Sequence, residues 1–134
     1  MDETLKGKKI LVVDDNKTYG RLMSILLSKQ GYKIYIEENV NEALKLLNKD
    51  EFSLIISDLV MPNDDGVDFL KVLKENEQTK DIPVIIISGY DTQDHVDNLK
   101  GLGAFDVLPK SFKDSNLVPT IEHAIRYYMD LKGS

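Results

Sequence analysis

The chain has 134 residues, a formal net charge of -6 and no cysteine. That length supports one folded unit that buries roughly two-thirds of its unfolded surface. The acidity argues against the clustered basic footprint of a nucleic-acid binder, and the missing cysteines exclude disulfides and thiolate metal sites. No apolar run approaches the ~20 residues that span a bilayer, and no signal-peptide core opens the chain. The expectation is a single cytoplasmic domain over 1–134, with no membrane contact, and with 1–7 and 131–134 flexible.

After a polar lead, Ile10-Leu11-Val12-Val13 forms a continuous apolar run that ends in Asp14-Asp15. Runs apolar on both faces suit a parallel strand covered by helices on each side. From Asn16 the period changes: Tyr19, Leu22, Met23, Leu26 and Leu27 make one stripe of an amphipathic helix, closed by Gly31. Lys33-Ile34-Tyr35-Ile36-Glu37 alternates, as an edge strand does. Asn39 with Glu42 resembles a capping box, and Val40, Ala43, Leu44 and Leu47 carry the second helix. Leu54-Ile55-Ile56 reads as a buried strand with Asp58 at its tip. Pro62 bars an immediate helix, and Gly66 permits a turn that a side chain would obstruct.

Phe69, Leu70 and Leu73 give a third helix, and Val84-Ile85-Ile86-Ile87 a very apolar strand ending at Ser88-Gly89-Tyr90. Asp91 is placed to cap a fourth helix, a weak one whose large apolar residues are Val96 and Leu99, broken by Gly101 and Gly103. Ala104-Phe105-Asp106-Val107-Leu108 is a fifth strand, followed by Pro109-Lys110. Leu117, Ile121, Ala124, Ile125 and Tyr128 carry the last helix. Five strands alternating with five helices over short connections predict an α/β doubly wound (βα)5 sandwich, flavodoxin-like, with a five-stranded parallel sheet of order 2-1-3-4-5.

In such a sheet every strand's C-terminal end points to one rim. The polar residues just past four strands are Asp14 and Asp15, Asp58, Ser88 and Lys110. Clustered carboxylates repel unless a cation intervenes, and oxygen ligands with open positions suit Mg2+. A lysine and a serine hydroxyl can hold phosphate oxygens, and a carboxylate can accept a phosphoryl group. Phosphoryl transfer asks mainly for positioning and charge neutralisation, which this set offers.

Val12-Val13-Asp14-Asp15, Asp58 with Met61-Pro62 and Gly66, Ser88, and Gly103-Ala104 leading to Lys110 resemble the receiver domain of two-component response regulators, across nearly the whole chain. The resemblance implies that Asp58 is the phosphoacceptor and that Asp15, Asp58 and the Val60 main-chain carbonyl bind Mg2+, for which Mn2+ can substitute. It implies that Asp14 supports the metal through water, that Ser88 is the switch hydroxyl and that Lys110 is the counter-charge. The implied donor is a phosphohistidine on a sensor histidine kinase or a histidine phosphotransfer protein. The expected role is a signalling domain rather than an enzyme, switching the surface of helix 4, strand 5 and helix 5. Its output would pass to a downstream protein, an attached output domain or a phosphorylation-dependent dimer.

Three positions depart from the family pattern. Lys110 is followed by Ser111 where the family carries proline, so a cis peptide there would cost ~2.5–4 kcal/mol without proline's relief. Val107 stands where an aromatic is common, and strand alternation would place Phe105 on the same face as Val107. Gly89 follows the switch serine and loosens that loop. Val60, two residues after the acceptor, offers no hydrogen bond to an attacking water, and Tyr90 could cover the phosphoryl group; both predict a long-lived phosphorylated state.

Rival readings are a haloacid-dehalogenase-type phosphohydrolase, a flavin-binding version of the fold and a docking-only pseudo-receiver. The first wants an acid two residues after its nucleophile, where this chain has Val60 or Asn16. The second wants a Ser, Thr and Gly-rich first loop, which is absent. The third conflicts with five filled chemical positions. His95 and His123 lack ligand spacing, and Asp64, Asp65 and Asp68 suit the start of a helix.

Overall fold

The computed structural model describes residues 3–61, 64–89, 92–111 and 116–133, with the backbone alone at Asp64. The elements are β1 (Lys9–Val13), α1 (Lys17–Ser28), β2 (Lys33–Glu37), α2 (Val40–Lys49), β3 (Leu54–Asp58), α3 (Gly66–Glu75), β4 (Val84–Ser88), α4 (Gln93–Gly101), β5 (Asp106–Pro109) and α5 (Leu117–Leu131). The five strands are all parallel, in the spatial order β2-β1-β3-β4-β5, as the alternation predicts. Between β3 and α3, Val60–Met61 pairs antiparallel with Asp64–Asp65 in a short ribbon.

Successive side chains of the three central strands feed opposite cores. Leu11, Val13, Ile55, Val84 and Ile86 pack beneath Ala43, Leu47, Phe69, Leu70, Leu73 and Leu99, the inner faces of α2, α3 and α4. Ile10, Val12, Leu54, Ile56, Ile85 and Ile87 pack beneath Met23, Leu27, Ile121, Ala124 and Ile125 of α1 and α5. Every residue of β3 and β4 is buried, which explains their unbroken apolar character, whereas edge strand β2 is only partly covered and alternates.

The helix ends follow local chemistry. Asn39 accepts from the Glu42 N–H at 2.9 Å, as a capping residue does. Gly31 closes α1 at φ 96° and Gly103 closes α4 at φ 113°. At the second of these, Gly103 N–H donates to Lys100 O and Ala104 N–H to Leu99 O, the paired bonds of a Schellman ending.

Several expectations change. The buried stripe of α1 is Gly20, Met23 and Leu27, and Leu22 is 48% exposed. Gly20 is the cause: a Cβ there would sit 3.3 Å from Ile36 Cγ2, so the helix turns its smallest residue to β2 and rolls Leu22 outward. In the lead before β1, Glu3–Leu5 forms a 3-10 turn and Leu5 is fully buried in the α1–α5 core. At the other end Leu131 ends α5, and Lys132 caps it and lies 3.5 Å from Asp81. Phe105 precedes β5 and packs on the α5 side against His123 and Tyr127, opposite the core that holds Val107. Strand alternation does not extend to it, because regular pairing starts at Asp106.

The cap of α4 is Thr92, whose hydroxyl accepts from His95 N–H at 3.2 Å; Asp91, expected there, lies outside the described residues, as do Pro62 and Tyr90. Among the described residues no helix is long and apolar enough to cross a membrane.

Candidate functional site

The parallel arrangement brings the ends of β1, β3, β4 and β5 to one rim. Asp14 follows β1 directly and keeps ladder geometry, its N–H donating to Glu37 O at 3.1 Å. Asp58 is the last residue of β3, opposite Ile87 of β4, and Ser88 ends β4 opposite Pro109. Asp14, Asp58 and Ser88 are each at most 4% exposed, while Asp15 turns outward. Carboxylate oxygens of Asp14, Asp15 and Asp58 lie within 4.8 Å of one another. Lys110 reaches back from the end of β5, its Nζ 3.2 Å from Asp58 Oδ1.

Burial pushes the Asp14 carboxyl above its ordinary value, with the Asp58 and Asp15 charges adding to the effect. The Asn16 N–H, donating to Asp14 Oδ1 at 2.9 Å, and the Lys110 charge oppose it. Among the described residues three carboxylates face one ammonium, with Asp14 and Asp58 buried and Asp15 exposed, which leaves an excess of negative charge at the rim. An oxygen-only donor set of this kind fits a hard divalent cation, with Asp14, Asp15 and Asp58 as the residues able to hold it.

The loop after Asp58 is held by main chain. Leu59 N–H donates to Ile87 O at 3.0 Å and Gly66 N–H to Leu59 O at 2.9 Å. At Gly66 a Cβ would meet Asp58 O at 2.6 Å and Leu59 O at 2.7 Å, the close approach that the sequence expected of this glycine. Asp65 caps α3 by accepting from Val67 N–H at 2.8 Å. Val60 points away from the core and is 75% exposed.

Among the described residues nothing beyond its chain neighbours lies within 4 Å of where a Cβ on Gly89 would stand. No cis peptide occurs among the described residues, so Lys110–Ser111 is trans.

One neighbour escaped the sequence reading. Tyr19, assigned there to the apolar stripe, places its ring 5.4 Å from Lys110 Nζ. Burial, then the Asp14 and Asp58 charges, push its phenol up to about 12, so the ring stays neutral. The signal that could have found it is position: it lies in the first turn of α1, directly beyond the Asp14-Asp15 pair.

A parallel five-stranded sheet with this rim defines a class, and the comparisons agree. The sequence model of the response regulator receiver domain matches residues 10–122, and the chain belongs to that family. It is 38% identical over 120 residues to the transcriptional regulatory protein CpxR of Escherichia coli, covering 88% of this chain and 49% of that protein. The fold resembles chemotaxis response regulator CheY4 of Vibrio cholerae, with a TM-score of 0.81, 28% identity, and coverage of 89% of this chain and 99% of that one. It also resembles response regulator TrrA of Thermotoga maritima, solved in complex with Mg(2+)-BeF, with a TM-score of 0.77, 29% identity and coverage of 87% and 98%. The chain spans about half the length, or less, of the curated relatives it matches.

Proposed function

We propose that Asp58 accepts a phosphoryl group from a phosphohistidine donor in a divalent-metal-dependent reaction. An Asp58 carboxylate oxygen attacks phosphorus, the P–N bond breaks, and the imidazole leaves with that electron pair and takes up a proton. The observation that carries this reading is the convergence of three carboxylates within 4.8 Å, with Lys110 Nζ 3.2 Å from one of them.

Asp15, Asp58 and the Val60 carbonyl would hold Mg2+ (or Mn2+), with Asp14 acting through water. The metal supplies charge neutralisation between carboxylates and phosphoryl oxygens. The Mg(2+)-BeF complex of the related TrrA supports the assignment. Lys110 and the Ser88 hydroxyl bind phosphoryl oxygens, and their movement toward that charge biases α4, β5 and α5 between two conformations. The donor is a sensor histidine kinase or a histidine phosphotransfer protein in the cytoplasm. The chain acts as a signalling domain, and the names of its curated relatives support output through an attached or separate regulatory partner.

The phosphorylated state is long-lived, because the exposed Val60 side chain has no group to orient or deprotonate a water.

Incubation with acetyl phosphate and Mg2+, followed by intact mass, tests the acceptor. Wild type gains one phosphoryl group and Asp58→Asn gains none. Equal labelling of both proteins refutes the assignment.

A further inference from the structure

The two halves of the rim, metal-binding carboxylates and phosphate-binding lysine, are joined by a short relay through the start of α1. Asn16 N–H donates to Asp14 Oδ1 at 2.9 Å, and the Asn16 side chain accepts from Tyr19 N–H at 3.0 Å. The Tyr19 ring then lies 5.4 Å from Lys110 Nζ, which lies 3.2 Å from Asp58 Oδ1. The loop that places Asp14 therefore also sets the turn from which the Tyr19 ring faces Lys110.

A lysine ammonium is a point charge on a flexible four-carbon stem, and ordering it costs rotamer entropy. Lys110 leaves the sheet at the end of β5 and is followed by Ser111, which imposes no proline-like restriction on the backbone. Its side chain is about one-third exposed, so packing alone does not settle its direction. An aromatic face within ~6 Å attracts a cation through the ring quadrupole, more strongly as water is excluded. Half-buried Tyr19 supplies that face, its ring centroid 5.4 Å from the ammonium nitrogen.

We propose that Tyr19 is a positioning residue for Lys110, its ring holding the ammonium in register with the Asp58 carboxylate. The proposal rests on the phosphoacceptor reading above and adds a residue to it. Tyr19 does not touch the phosphoryl group; it acts through the lysine. A ring is required and the hydroxyl is not, which separates this role from simple core packing, where leucine would serve as well.

The test compares wild type, Tyr19→Phe and Tyr19→Leu in two measurements. The first is binding of beryllofluoride with Mg2+, a mimic of the phosphoryl group. Tyr19→Phe should bind as wild type does, and Tyr19→Leu roughly three- to tenfold more weakly, the range of a partly desolvated cation–π contact. The second is the proton shift of the Lys110 ε-methylene by NMR, assigned with Lys110→Arg. The ring should move it upfield in wild type and Tyr19→Phe, and it should return to the ordinary lysine position in Tyr19→Leu.

Wild-type affinity in Tyr19→Leu, or an unshifted ε-methylene in wild type, overturns the proposal. The wild-type shift decides even if Tyr19→Leu fails to fold. Failure of wild type to take up beryllofluoride would instead count against the phosphoacceptor reading, and the ring-current shift would still decide the placement of Lys110.

Discussion

A Cβ on Gly66 would lie 2.6 Å from the carbonyl oxygen of Asp58, closer than real side chains approach main chain. Asp58 and this glycine are eight residues apart in sequence, yet their main chains crowd each other. Helix propensity favours alanine over glycine by up to ~1 kcal/mol. The crowding opposes it, because the atoms that must yield are main chain of the site itself, and overpacking of this sort costs ~1–3 kcal/mol. Gly66→Ala should therefore unfold at lower urea and accept phosphoryl groups from acetyl phosphate more slowly. A variant as stable as wild type would show that the loop can shift without penalty.

The exposed Val60 side chain predicts a slow loss of the phosphoryl group. Val60→Gln places a hydrogen-bonding group two residues beyond Asp58, the proposed acceptor, where it can orient an attacking water. Decay after removal of the donor should speed up by roughly tenfold to a hundredfold, at or below the low end of general-base contributions. Intact mass over time in Mg2+ buffer checks both halves of the prediction. Wild-type decay within seconds would contradict the first, and unchanged decay in the variant the second.

The Asp14 carboxyl is raised chiefly by burial, so ionising it in the metal-free protein costs stability. A raised folded-state value means that its contribution is present at low pH and is lost as pH rises through that value. At neutral pH in EDTA, Asp14→Asn should therefore melt at a higher temperature than wild type. The gap should narrow on acidification as wild-type Asp14 becomes protonated. Added Mg2+ should raise the wild-type melting temperature and do so less in the variant. A pH-independent gap would mean that ionisation is not its source.

Gly103→Ala should destabilise the fold more than an ordinary surface change. The residue sits at φ 113°, and a Cβ would come 2.9 Å from Lys74 Cγ. That lysine cannot swing aside freely, because its ammonium donates to Ile82 O at 2.8 Å and Lys80 O at 3.0 Å. Strained backbone of this kind costs on the order of 1–3 kcal/mol. Chemical denaturation measures it, and a loss below the error of the method would count against the geometry.

The fold was legible because its signals were redundant. Continuous apolar runs at Ile10, Leu54 and Val84 belong to strands covered on both faces, and the alternating run at Lys33 belongs to the edge. The rim was legible because a parallel sheet delivers every strand end to one side, so residues far apart in sequence had to meet. What stayed hidden depends on how elements roll and seat. Leu22 lies outside the core because Gly20 admits close approach to Ile36, a contact between an edge strand and a helix that periodicity does not encode. Tyr19 does pack against the α1–α5 core, as its stripe implies, but a stripe marks a face and does not say which cation that face will meet.

Leu5, fully buried between α1 and α5, has one practical meaning. The stretch matching the family pattern runs over 10–122, whereas α5 continues to Leu131 and the ion pair of Lys9 with Asp50, at 2.7 Å, begins one residue earlier. Trimming the gene to the recognised stretch would remove a core side chain, sever that ion pair and amputate more than half of the last helix, with Ala124, Ile125 and Tyr128 on it. Packing of the core thus extends past both ends of the stretch that matches the family pattern.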